Sequence, residues 1–147
     1  MYKNILIPTD GSKLSVHTIK AGVELAKAIG ARVTGLFVAP TPTPLVYEGI
    51  LPVGYMAPDE HAELIARAAA RHLEIVEKEA AGAGVPCKCL TVTGDFPAEA
   101  ILQVADKNKC DLIFMASHGR TGVSAILLGS ETQKVLAHSR IPVLVHR

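Results

Sequence analysis

A chain of 147 residues, 49% hydrophobic and 20% charged, has the makeup of one globular domain able to bury roughly 70% of its unfolded surface. Fifteen Lys and Arg against fourteen Asp and Glu leave a net charge of +1, which excludes a broad electrostatic footprint for nucleic acid or an acidic membrane. The start, MYKNILIPTDG, has no long apolar stretch of signal-peptide type, and no run approaches the roughly 18 residues of a membrane span, so a cytoplasmic location is expected.

Lys3-Asn4-Ile5-Leu6-Ile7-Pro8 is a short apolar run closed by turn residues and reads as a buried strand. Thr9-Asp10-Gly11-Ser12 follows, with candidate N-caps for a helix over residues 15–29, where Ile19, Gly22, Val23, Ala26 and Ile29 recur at helical spacing. Gly30 stands where a C-cap glycine belongs, and residues 32–38 form a second strand. Residues 39–58 hold five of the nine prolines together with Tyr47, Tyr55 and Met56. So long a stretch without a regular pattern reads as a surface excursion, or more sharply as a lid or partner surface.

A long helix is predicted over residues 59–82, acidic in its first turn as the helix dipole favours, with Ile65, Ala69, Leu73, Val76 and Ala80 as its buried stripe. Gly82 and Gly84 end it. Residues 87–93 are the third strand, and Pro97 sits in the first turn of a helix whose core face is Ala98, Ile101, Leu102 and Ala105. Cys87 and Cys89, which flank a single residue in that strand, are expected on opposite faces. With Cys110 they make three reduced thiols, and the spacing offers neither a disulfide framework nor a CxxC pair.

Residues 111–115 are the fourth strand, which gives way to the small polar loop Ser117-His118-Gly119-Arg120-Thr121-Gly122. After a bridge comes Gly129, then Ser130-Glu131-Thr132-Gln133, which matches a capping box with Ser130 as N-cap and places Thr132, Val135 and Leu136 on one face. Pro142-Val143-Leu144-Val145 is the fifth strand. Five β runs separated by four helical patterns predict an α/β fold: a single-domain open parallel five-stranded sheet with helices on both faces. In the common order 3-2-1-4-5 the direction of winding reverses between strands one and four, and ligands of open α/β sheets bind at such a switch point. The loops at Thr9-Asp10-Gly11 and at residues 117–122 would converge there.

Strand, glycine-bearing loop and helix start together suit an anion, because the first N–H groups of a helix lack internal acceptors. Asp10 is either a ligand contact or a turn residue. Arg120 is either a charge-assisted phosphate contact or a solvated loop charge. His118 is a loop residue of this crevice rather than a catalytic base, since no nucleophile or carboxylate stands at a telling spacing. His17, His61, His72, His138 and His146 show no metal-ligand spacing. A GxxxxGK[ST] loop and an early GxGxxG are both absent.

These residues resemble the universal stress protein family of the ATP-binding type over essentially the whole chain. The family's phosphate pattern is Gly, two residues, Gly, nine residues, Gly, then Ser or Thr. Here Ala116 takes the first position, followed by Gly119, nine residues, Gly129 and Ser130. The signature Pro8-Thr9-Asp10-Gly11-Ser12 and the ending Arg140-Ile141-Pro142-Val143-Leu144-Val145 also fit. The resemblance implies one Rossmann-like nucleotide-binding domain over residues 1–147. It implies that Asp10 contacts the ribose, with Pro8 and Thr9 beside the adenine and Val38 offering it backbone groups. Met115 and Ala116 would line the nucleotide; Gly119, Gly129, Ser130 and the backbone at Glu131 would hold the phosphates.

Flavin fits less well, because an FMN phosphate beyond the first strand would meet the like charge of Asp10. The expectation is therefore ATP, with Mg, bound by a stress-response or signalling protein. Slow ATP hydrolysis or phosphoryl transfer, and a nucleotide-independent interaction module with a protein partner, are the alternatives. The resemblance also implies a homodimer through Pro142, Val143, Leu144 and Val145, where an uncovered apolar edge invites pairing.

Overall fold

The computed structural model describes residues 1–41, 57–119 and 128–147. Strands and helices alternate along it as β1 (Asn4–Pro8), α1 (Lys13–Ile29), β2 (Arg32–Ala39), α2 (Pro58–Ala83), β3 (Cys87–Thr93), α3 (Pro97–Lys107), β4 (Leu112–Ala116), α4 (Ser130–His138) and β5 (Val143–His146). All the strand pairings are parallel, in the order β3-β2-β1-β4-β5, as the alternating pattern predicts.

Strand alternation explains how so short a chain fills two cores. Side chains of successive strand residues point to opposite faces, so a run that is apolar at every position needs cover on both sides. Ile5, Ile7, Leu112 and Phe114 face one way, against Ile19, Val23 and Ala26 of α1 and Val76 and Ala80 of α2. Leu6, Leu36, Ile113 and Met115 face the other, against Ala98, Ile101, Val104 and Ala105 of α3 and Val135 of α4. The sheet is thus sandwiched, with β3 and β5 at its margins.

Caps set the element boundaries. The Ser12 side chain accepts from the Ser15 N–H to start α1, and left-handed Gly30 and Gly84 close α1 and α2. Gly82 lies inside α2 rather than ending it. Ser130 is the first residue of α4 and not its cap: Gly129 holds the cap position, and Gln133 turns its side chain to the Leu128 carbonyl. Leu136, expected with Thr132 and Val135 on the buried face, is 41% exposed, because one residue on from Val135 it is turned about 100° around the helix. Cys87 and Cys89 also depart from expectation and share a face. Alternation has period two, so residues i and i+2 fall on the same side; their Sγ atoms lie 3.9 Å apart.

The N-terminal end of the sheet is closed by a polar network around Asn4, which is only 2% exposed. Its Nδ2 donates to the Asn108 carbonyl at 3.0 Å, and its Oδ1 accepts from the Thr34 hydroxyl at 2.9 Å. The Asp111 carboxylate accepts the backbone N–H groups of Lys3 and Asn4 at 2.8 and 2.9 Å. No helix among the described residues is long and apolar enough to cross a membrane.

Candidate functional site

At the C-terminal ends of β1 and β4 the chain departs to opposite faces of the sheet, toward α1 and α4, and a crevice opens between the two loops. A cavity of about 150 Å³ lies there, lined by Pro8, Thr9, Asp10, Ser15, Leu36, Val38, Pro97, Ile101, Met115, Ala116, His118, Gly119 and Thr132. One end is apolar, formed by Leu36, Val38, Pro97, Ile101 and Met115; Asp10, His118 and Gly119 make the other polar. Pockets for drug-sized ligands run to roughly 300–1,000 Å³. This cavity therefore suits a ring-sized group, with the remainder of a ligand lying outside it along the loops.

The loop after β1 is held from within. The Thr9 N–H continues the β1–β2 ladder to the Leu36 carbonyl at 2.9 Å, and the Thr9 hydroxyl meets the buried Ser15 hydroxyl at 2.5 Å. Asp10 Oδ1 accepts the Ser12 N–H at 2.9 Å, a turn that directs the chain into α1. Gly11 has φ of +78°, a conformation that L side chains rarely adopt, and the His72 ring occupies the place where its Cβ would be. Asp10 is thereby presented at the rim, half-buried.

The loop after β4 comes to meet it. A Cβ on Gly119 would overlap the Asp10 Oδ2 atom, so glycine here lets the two loops touch. Gly129 is closely packed too: its Cβ would stand 3.1 Å from the His118 Cα and 3.4 Å from the Ser117 carbonyl oxygen. Its N–H donates to that carbonyl at 2.7 Å, while the Thr132 hydroxyl donates to the Ala116 carbonyl at 3.0 Å. These two bonds dock the start of α4 on the end of β4. Ser117, fully buried, places its hydroxyl 3.1 Å from His118 Nδ1.

Of the residues singled out in the sequence, Pro8, Thr9, Asp10, Val38, Met115, Ala116, His118 and Gly119 come together around the cavity. Gly129 stands against its His118 wall, whereas Ser130 and Glu131 lie one and two residues further on and do not line it. Ser130 is exposed and makes no cap bond. Arg120 lies outside the described residues, as do Tyr47, Tyr55 and Met56 of the proline-rich segment.

The structure adds Ser15, Leu36, Pro97, Ile101 and Thr132 to the lining. Leu36 was within reach of sequence reasoning, since Pro8 pairs with Leu36 in the parallel register. Pro97 opens α3, just past the carboxyl end of β3 on the same side of the sheet. Glu131 acquires a role that no spacing suggested. Its Oε2 accepts the Ala98 N–H at 2.8 Å, capping α3, whose own cap position is Phe96 with no side-chain bond. Its Oε1 meets Lys134 at 2.9 Å. The beginnings of α3 and α4, which flank the cavity, are thus fastened to each other.

An open parallel sheet with a cleft at its switch point, apolar at one end and rimmed by a carboxylate and a glycine loop, defines an α/β protein of the Rossmann-like class. A model of the universal stress protein family matches residues 1–147, and the chain belongs to that family. It is 36% identical over 145 residues to universal stress protein MJ0531 of Methanocaldococcus jannaschii, covering 99% of this chain and 82% of that protein. It is similar to the solved structure of hypothetical protein MJ0577, with a TM-score of 0.78 at 32% identity over 99% of this chain and 95% of that one. The universal stress protein from Archaeoglobus fulgidus in complex with dAMP shares the fold, with a TM-score of 0.64 at 19% identity over 99% and 98% of the two chains.

Proposed function

We propose that this universal stress protein binds ATP in the cleft and uses it as a signal rather than as fuel. The observation that carries the reading is the contact of Asp10 with Gly119 at the mouth of an apolar cavity. A carboxylate there suits the paired hydroxyls of a ribose, which would leave the adenine ring among Val38, Leu36, Pro97 and Met115. Pro8, Thr9 and Ala116 flank the same ring. The triphosphate then runs past Gly119 toward the first turn of α4, where the N–H groups of Ser130 and Glu131 have no helical acceptors. Arg120, one residue beyond Gly119, supplies a positive charge to the outer phosphates. Magnesium in this reading travels with the phosphates, its usual mode of arrival. The complex of a family member with dAMP is consistent with an adenine nucleotide in this fold.

Titration calorimetry with Mg-ATP tests the reading. Saturable binding is expected, at least as tight in Ala116→Gly, which removes one methyl from the path of the ligand. No heat from either protein at millimolar nucleotide would overturn it.

We also propose that two copies pair through β5. Among the described residues this strand is bonded to β4 alone, and Leu144 is 39% exposed on it. An open apolar edge is a template for a second strand, and two-fold closure buries both edges at once. Light scattering at ~10 μM, within the range of ordinary affinities, is expected to give twice the chain mass; the mass of one chain would refute the pairing.

A further inference from the structure

Cys87 and Cys89 lie away from the cleft, at the opposite margin of the sheet. They belong to β3, the edge strand, which pairs only with β2 among the described residues. Cys89 is held in a fitted place: the residue opposite it is Gly35, whose Cβ would come 2.8 Å from Cys89 Sγ and 3.0 Å from Val76 Cγ1 under α2. Cys89 Sγ also lies 3.8 Å from the Leu73 carbonyl oxygen. Cys87, two residues earlier on the same face, is exposed. One thiol faces solvent, and the other is half-buried directly behind it at 3.9 Å.

The two differ in their hold on the proton. The hydrogen bond from Cys89 lowers the Cys87 thiol below its ordinary value, although burial and the nearby Glu77 carboxylate oppose this. The same contact, together with burial and the negative charges of Cys87 and Glu77, pushes the Cys89 thiol far up. A solvent-facing thiol whose proton is loosened by contact with a second thiol is the arrangement in which cysteines respond to oxidants. Cys110 has none of these features: it is 6% exposed, and burial raises its thiol.

We propose that Cys87 and Cys89 form a dithiol that hydrogen peroxide oxidises to an intrachain disulfide. The Cys87 thiolate attacks one peroxide oxygen, the O–O bond breaks, and hydroxide leaves to take a solvent proton. Cys87 then carries a sulfenic acid. The Cys89 sulfur, giving up its proton, attacks Cys87 Sγ; the S–O bond breaks, and the oxygen departs as a second water. Two electrons pass from the sulfurs to the peroxide, and both of its oxygens end as water. Residues two apart in a strand are separated by about 6.6 Å, at the upper limit of the roughly 4.4–6.8 Å that disulfides span between Cα atoms, so the strand must shorten there to bring the Cβ atoms within the roughly 4.5 Å that the bond allows. A position on the edge leaves β3 free to bend as the sulfurs close, and the exposed Cys87 side remains open to a reducing thiol.

The test is to treat reduced full-length protein with a small excess of hydrogen peroxide, denature it, alkylate free thiols and measure the intact mass. The expected product has lost two hydrogens and takes one alkyl group, with the bond mapped to the peptide holding Cys87 and Cys89. Dithiothreitol should restore all three free thiols, and Cys110→Ser should form the same bond. In Cys89→Ser, Cys87 should stop at the sulfenic acid and be trapped by dimedone. Three alkylated thiols after peroxide, a bond involving Cys110 or a second chain, or Cys87 carried to sulfinic acid with Cys89 still free would each overturn the proposal.

Discussion

Asp10→Ala is expected to weaken adenine-nucleotide binding by roughly 10- to 100-fold, the equivalent of about 1.5–3 kcal/mol for a hydrogen bond to a charged group. Two effects contribute. The substitution removes the carboxylate proposed to meet the ribose, and it removes the acceptor of the Ser12 N–H that shapes the loop into α1. Asp10→Asn separates them, because its amide oxygen still accepts from Ser12 while the charge is gone. A Kd for Asp10→Asn close to that of the alanine variant would assign the loss to charge; a Kd close to the unaltered protein would assign it to loop shape. Gly119→Val provides an independent arm, since a side chain there must displace Asp10. If calorimetry gives the same Kd for Asp10→Ala, Gly119→Val and the unaltered protein, the nucleotide does not bind between these loops.

The largest loss of stability is expected at the other end of the sheet. Asn4→Leu should lower the unfolding free energy by about 2–5 kcal/mol, because each orphaned buried polar group costs roughly 1–3 kcal/mol. The Thr34 hydroxyl, at 3% exposure, loses its acceptor, and the Asn108 carbonyl loses the Asn4 Nδ2 donor. Leucine is apolar and similar in size, so hydrophobicity at the site rises while stability falls. Adding Thr34→Val should recover part of the loss, since it deletes the orphaned hydroxyl. Urea midpoints read both effects; an Asn4→Leu midpoint equal to that of the unaltered protein would show that the network carries no stability.

Much of the fold is legible in the amino-acid sequence. Ile5-Leu6-Ile7 and Leu112-Ile113-Phe114-Met115 are apolar at every position, as strands covered on both faces must be. Ile19, Val23 and Ala26 recur at the spacing of one helix face, and all are buried. Both halves of the cleft were marked by small polar residues at the carboxyl ends of strands. Less was legible at helix starts, where one residue decides the cap. Ser130 has the chemistry of an N-cap, yet Gly129 takes the position, closely packed against His118 with its N–H tied to the Ser117 carbonyl.

Hydrophobic period, turn residues and glycine placement are properties of neighbouring residues, and they were enough to specify five parallel strands, their helices and the two loops that meet. Contacts between residues far apart in the chain carry no such local mark. The Glu131 carboxylate reaches 33 positions back to cap α3, and Asn4 joins Thr34 to Asn108 across the sheet. The overlap that Gly119 avoids with Asp10 likewise exists only once the strands stand side by side. The Cys87–Cys89 contact is the instructive intermediate. Strand alternation alone puts both sulfurs on one face, but only Gly35 of β2 and Val76 of α2 set one back and leave the other in solvent.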